Sequence, residues 1–96
     1  MTEAAKYRDA VARYMKARGS CYDSHARYPH IARPRAVGMA MALADGVATR
    51  AIAPAFGQSH PNSAYRAQEC VDRMMSHPDT RKAAAAMWAE IRGYLE

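Results

Sequence analysis

The residues best suited to molecular recognition in this chain are polar side chains that follow Gly57. Asn62, Ser63 and Arg66 open a run of helically spaced apolar residues, and a helix built on that run would leave these three side chains exposed. An Asn side chain can make two hydrogen bonds to adenine, a Ser hydroxyl pairs with several bases, and Arg reaches guanine or a phosphate. Each residue alone is equally typical of an ordinary polar helix face. As a group, they predict a surface that reads base edges in the DNA major groove.

The formal net charge of +5 is concentrated in one part of the chain. Six Lys or Arg residues and a single acidic residue lie between positions 13 and 35, and the rest of the chain is electrically balanced. A localised basic stretch is typical of a protein that binds a polyanion such as nucleic acid. The alternative is a solvated basic face that only keeps the protein soluble.

An irregular loop is predicted over residues 20–30, where Arg, His and Tyr residues show no sustained period. A side chain from such a loop can enter a minor groove beside a DNA-facing helix. Arg27 is the candidate, because a guanidinium gains from the negative potential of a narrow groove. The alternative is an ordinary surface arginine.

Four further residues are candidates for phosphate binding. Arg33 and Arg35 fall in the first turn of a helix expected to begin near residues 31–34, where positive charge opposes the helix dipole unless an anion binds. Thr49 and Arg50 open a short helix, from which side chains can reach a phosphate or a base edge. All four extend the predicted DNA-binding surface.

Motifs for catalysis and cofactor binding are absent from the sequence. It has no Gly-rich phosphate loop, nucleophile elbow or closely spaced carboxylate pair, so we expect neither an enzyme nor a cofactor. Cys21 and Cys70 are too few for a disulfide framework and complete no zinc ligand set, so we expect no metal and a reducing cytoplasm. No apolar run approaches the roughly 18 residues that span a membrane, and the N-terminus lacks the pattern of a secretion signal.

The composition predicts a single all-α domain, a small helical bundle over residues 1–96. Abundant Ala with few β-branched runs favours helices over strands. Trp88 is predicted to anchor the last helix in the core. From the apolar spacing and the Gly and Pro breaks, helices are expected over residues 2–18, 31–44, 48–56, 61–75 and 78–95.

Residues 48–75 predict a helix-turn-helix. Two helices flank the break at Gly57, Ser59 is placed to cap the second helix, and Pro61 suits its first turn. The second helix is then the recognition helix, and its N-terminal turns would enter the major groove.

Three motifs resemble the C-terminal DNA-binding domain, domain IV, of the bacterial replication initiator DnaA. They are Ala32-Arg33-Pro34-Arg35, Met39-Ala40 and Ile52-x-x-Ala55-Phe56-Gly57. The similarity extends back without a gap into the first helix, so it covers nearly the whole chain. It implies a Trp-repressor-like fold that binds duplex DNA through a helix-turn-helix and a minor-groove arginine in the preceding loop.

The resemblance also implies roles for residues of this chain. Base reading falls on His60, Pro61, Asn62 and Ser63, the minor-groove contact on Arg27, and backbone contacts on Arg35, Thr49, Arg50 and Arg66. Where that family has Asp-His-Thr-Thr, this chain has His60-Pro61-Asn62-Ser63, and Ala36 stands where the family has Gln after Arg-Pro-Arg. The resemblance therefore implies a retained scaffold with a changed sequence preference.

We expect a sequence-specific double-stranded DNA-binding protein that regulates transcription, of the kind found in phage, prophage or gene-transfer-agent systems. One alternative is a replication-control factor that competes for DnaA boxes. Another is a helical protein-interaction module that docks an acidic partner. The chain is expected to act as a monomer or weak dimer at the bacterial nucleoid, with the transcription or replication machinery as a further partner.

Overall fold

A computed structural model describes residues 2–96, which form five α-helices and no β-strand. The prediction of a small all-α helical bundle is confirmed, and each predicted helix is present with shifted ends. The helices are α1 (Glu3–Ala17), α2 (Pro29–Ala44), α3 (Thr49–Ala55), α4 (Ser63–Ser76) and α5 (Pro78–Leu95).

Helix α2 is the centre of the bundle. It packs against each of the other four helices, and every residue from Val37 to Ala42 is buried. Met, Ala and Gly occupy most of this stretch, so it is free of polar side chains on all sides, as expected of a helix surrounded by protein. The core is therefore built around α2.

Gly38 lies where α1, α2 and α3 meet. A Cβ atom at this position would lie 2.3 Å from Cγ2 of Val11 and 3.1 Å from the ring of Phe56. Both of those side chains are fully buried. The lack of a side chain at Gly38 therefore lets α1 and α3 approach α2 closely, and it leaves room for the Phe56 ring at the end of α3.

The deepest aromatic side chain is that of Phe56, rather than that of Trp88. Phe56 is the largest fully buried residue, whereas Trp88 packs against the core and stays partly exposed. Ile91 is the fully buried large side chain of α5, and Trp88 packs on the core, as predicted, without lying inside it. Its helical spacing located the inner side of α5 but could not give the depth of burial.

Helix α2 begins earlier than predicted. It starts at Pro29 after an extended Tyr28, so the expected later start is wrong. By sequence alone Pro29 and Pro34 suit a first turn equally well. Pro34 instead lies buried inside the helix, where it lacks the N–H of a normal helix bond. Arg33 and Arg35 consequently lie beyond the first turn, and the dipole argument for an anion beside them does not hold.

Two ion pairs fix α5 to the rest of the bundle. Asp45, at the end of α2, accepts hydrogen bonds from Arg92 of α5 at 2.5 and 2.9 Å and from the Tyr7 hydroxyl of α1 at 2.5 Å. The Arg92 bonds lower the pKa of Asp45, and burial together with the Asp45 bond raises the pKa of Tyr7 to about 12. Arg18, the C-cap residue of α1, pairs with both carboxylate oxygens of Glu90.

Because Gly38 is closely packed and Gly93 is not, replacing each glycine with alanine should change the free energy of unfolding in opposite directions. Gly38→Ala should lower the free energy of unfolding by about 1 to 3 kcal/mol, because the new methyl group would overlap Val11 and displace Phe56. Gly93→Ala in α5, where nothing lies within 4 Å of the added atom, should raise it by about 0.5 to 1 kcal/mol through helix propensity. Urea unfolding followed by circular dichroism measures both. Similar effects of the two substitutions would contradict the packing described.

Candidate nucleic-acid interface

The loop before α2, residues 20–28, is held in a defined shape and is called the basic loop below. Asp23 Oδ1 accepts hydrogen bonds from the backbone N–H groups of His25 and Ala26 at 2.7 and 2.9 Å, which lowers the pKa of Asp23. Arg35 Nη1 reaches over from α2 and donates to the carbonyls of Asp23 and Ala26 at 2.7 and 2.9 Å. The predicted irregular loop is thus a turn closed by Asp23 and fixed by Arg35.

The basic loop also packs against the connection between α3 and α4. The Tyr22 hydroxyl donates to the Phe56 carbonyl at 2.5 Å, and the Gln58 amide donates to the Ser24 carbonyl. Gly57 has φ +75°, and a Cβ atom there would lie 2.6 Å from Cβ of Ser24. Burial raises the pKa of Tyr22 to about 12, which keeps its hydroxyl protonated as a donor. The loop and the connection therefore form one unit, although they are distant in sequence.

A concave surface lies between the basic loop, α2 and the start of α4, and is called the central cleft below. It encloses about 320 Å³, and its floor is formed by small or apolar side chains such as Ala36, Met39 and Ala67. None of the described residues that line it is acidic. The basic and hydroxyl-bearing side chains at its edge are those of His25, Arg35, Ser59, His60, Ser63 and Arg66.

The start of α4 differs from the prediction in a way that moves one candidate residue. The helix begins at Ser63, not Pro61, and its N-cap is Asn62, not Ser59. Ser63 is therefore buried at 9% exposure, and its hydroxyl donates to the His60 carbonyl at 2.8 Å. The expectation that Ser63 points outward is wrong, because the later start turns this position toward the cleft wall. Its role in base reading stays a prediction.

His60 organises the connection that leads into α4. Its Nδ1 accepts the backbone N–H of Asn62 at 3.1 Å, while its carbonyl accepts the Ser63 hydroxyl. A neutral His60 in this arrangement carries its proton on Nε2, because Nδ1 acts as the acceptor. The Asn62 side chain makes no capping bond and is exposed, so its amide is available to a ligand.

An exposed stripe runs along the first half of α4 and consists of Asn62, Tyr65, Arg66 and Glu69. These positions follow helical spacing, so their side chains share one face. Tyr65 is 53% exposed, and sequence reasoning missed it. Its position three residues after Asn62 is the signal that would have found it.

The other predicted DNA-binding residues do not line the central cleft. Arg27 and Pro61 are exposed, the former in the basic loop and the latter just before α4. Thr49 and Arg50 form the first turn of α3, with the Arg50 side chain exposed and Thr49 half-buried. Arg33 lies in a separate depression.

Ion pairs neutralise some of the arginines in the basic segment that the sequence predicted at residues 13–35. Arg13 pairs with Asp9 at 3.2 Å, and Arg18 pairs with Glu90, so part of the basic segment is neutralised within α1 and α5. Within residues 2–96, no acidic side chain pairs with any arginine of the basic loop, α2, α3 or α4. Arg35 and Arg66, the two arginines that line the central cleft, are therefore both without a carboxylate partner.

Comparisons with known protein families, with curated proteins and with solved structures found no match. Within the part of the chain that the structure describes, no helix combines the length and hydropathy needed to cross a membrane.

The contacts of Arg35 predict a local structural effect that its neighbour Arg33 should not share. Arg35→Ala should speed amide exchange of His25 and Ala26 by about tenfold or more, because it removes both bonds from a charged group to the loop carbonyls. Arg33→Ala is the matched control, since that side chain bonds to no described residue. Hydrogen exchange followed by NMR measures both variants. Unchanged exchange in Arg35→Ala would show that the loop holds its shape without the arginine.

Proposed function

We propose that this chain is a sequence-specific double-stranded DNA-binding domain in which α3 and α4 act as a helix-turn-helix, and that it regulates transcription. The observation that carries the proposal is the central cleft, where Arg35 and Arg66 converge beside the exposed stripe of α4 without an acidic neighbour in the lining. Phosphate contacts from such arginines position a domain on DNA, and an adjacent exposed helix face reads the bases.

In this proposal, the exposed stripe of α4 enters the major groove. Asn62 is suited to adenine through two hydrogen bonds, and Arg66 is suited to guanine or to a phosphate at the groove edge. His60 presents Nε2–H as a donor, which suits an acceptor such as guanine N7 or a phosphate oxygen. Tyr65 adds an aromatic ring and a hydroxyl on the same helix face, and Glu69 can accept a hydrogen bond from the amino group of cytosine.

Arg35 is proposed to hold the basic loop in shape and to bind a DNA phosphate at the same time. Both bonds to the basic loop come from Nη1, and the Nη2 and Nε groups bond to no described residue. A guanidinium has five N–H donors, so those groups can hold a phosphate oxygen while the loop stays in place. Arg27 would then lie on the same side as the DNA backbone and reach the minor groove. Arg33, Thr49 and Arg50 are proposed as further phosphate contacts.

The connection between α3 and α4 covers residues 56–62 and is longer than the three to four residues usual in this motif. Tyr22 and Gln58 brace it against the basic loop, which compensates for its length. The resemblance to the DnaA domain supports the same assignment, because Arg35 of the Arg-Pro-Arg motif and Phe56-Gly57 are residues that hold the basic loop against this connection. In contrast, the residues that differ from the family are Ala36 and those at positions 60–63, where that family reads its target.

Selection of binding sites from a random duplex library, followed by fluorescence anisotropy, tests the proposal. Asn62→Ala should cost about 1 to 3 kcal/mol at one base pair and relax the preference there, while Arg66→Ala should weaken binding to all sequences if it holds a phosphate. Lys82→Ala on α5 removes the same charge from a face outside the cleft and should change neither. The Asn62 side chain makes no cap bond, so its loss should leave the fold intact.

Three results of this experiment have different meanings. An enriched motif unlike the DnaA box would support regulation of a separate set of genes. A motif like that box would instead favour a role in replication control. A log-log salt slope near −4 to −5 on random duplex is expected if about five phosphates are neutralised. Absence of enrichment together with absence of a salt-dependent affinity would reject DNA binding and favour an acidic protein partner.

A further inference from the structure

A second basic depression lies beside the central cleft, at the other end of α4, and is called the lateral cleft below. It encloses about 300 Å³. Arg33 of α2 and Arg73 of α4 lie in its wall together with His77, the N-cap residue of α5. No acidic residue is among the described residues that line it. Arg33 is distant in sequence from Arg73 and His77 and meets them only through the packing of α2 against α4.

The two clefts are neighbours along α4. Cys70 lines both of them, with Ser63 and Arg66 toward one side along α4 and Arg73 toward the other. From Ser63 to Ser76, α4 is about 20 Å long at 1.5 Å per residue. The two clefts therefore lie one after the other along α4, and each is lined by two arginines.

The charges around the lateral cleft are those of an anion site. Neither Arg33 nor Arg73 has an acidic partner within residues 2–96. The positive end of the α5 dipole lies at His77, which makes no side-chain capping bond. Asp79 of the first α5 turn is outside the lining, and Asp72 of α4 accepts a hydrogen bond from Gln68 at 3.0 Å.

Thr80 is the remaining polar residue of the lateral cleft. Its hydroxyl donates to the Met74 carbonyl at 2.6 Å, across the junction of α4 and α5. This bond helps to hold the start of α5 beside the end of α4, so the relative positions of Arg73 and His77 are set by the fold. The cleft is therefore formed before any anion arrives.

We propose that the lateral cleft binds a phosphate group of the same duplex that the central cleft holds, with Arg33 and Arg73 as its two contacts. This site rests on the DNA binding proposed above and extends it beyond the helix-turn-helix. The backbone of one strand would then follow α4 from Arg66 to Arg73. Arg73 becomes part of the interface, although nothing in its sequence surroundings marks it.

Arg73→Ala and Arg33→Ala test the site in anisotropy titrations against a selected duplex and a random duplex at several salt concentrations. Each phosphate contact contributes about 0.9 to the log-log salt slope. Loss of the shared phosphate should therefore make the slope less negative by about that amount and weaken binding about five- to tenfold near 0.1 M salt. The loss should be equal on both duplexes, and the double variant should resemble either single variant, because the two arginines hold one group.

The controls separate this site from the proposed function. Arg66→Ala reports on the central cleft, Lys82→Ala reports on net charge alone, and circular dichroism verifies the fold of each variant. Normal binding by the Arg33 and Arg73 variants, while Arg66→Ala is impaired, would overturn the lateral site and leave the proposed function standing. A loss confined to the selected duplex would indicate base contact and would also overturn it. Failure of the unmodified chain to bind either duplex would reject both proposals.

Discussion

The close packing of α1 and α3 against Gly38 is the constraint on which the rest of this structure depends. Because Gly38 has no side chain, Phe56 can be fully buried beside α2 at the end of α3. The Phe56 carbonyl then accepts a hydrogen bond from the Tyr22 hydroxyl, and Gly57 and Gln58 lie against Ser24. A packing feature in the core thus fixes the basic loop, although the loop has little apolar surface of its own.

Arginines have two different functions in the bundle, and their neighbours decide which one each performs. Arg18 and Arg92 meet carboxylates and join α5 to the other helices. Arg35 meets only backbone carbonyls, so it shapes the loop while its positive charge stays uncompensated. Total charge is therefore a poor guide to a binding surface. What matters is which cations the fold leaves without an anion, and among the described residues these include all four arginines of α2 and α4.

The sequence was sufficient for the helices but not for the site. Helical spacing predicted all five helices, and the break at Gly57 is a residue with positive φ. The predicted starts of α2 and α4 were wrong. More than one Pro or polar residue suits the first turn of each helix, and tertiary packing determines which one is used. That choice buried Ser63 and moved Arg33 and Arg35 beyond the first turn. Tyr65 had a helical signal that was overlooked, whereas Arg73 and His77 join Arg33 only through the packing of three helices.

Duplex DNA is proposed to bind along α4 and the basic loop. Titration of the isotope-labelled chain with a short duplex, followed through backbone amide NMR signals, tests it most directly. We expect the perturbed amides to cluster in residues 24–27, 33–35 and 58–73, with the exposed side of α5 around Lys82 unchanged. Perturbations centred on Trp88 and the outer side of α5, or none at low salt, would contradict it.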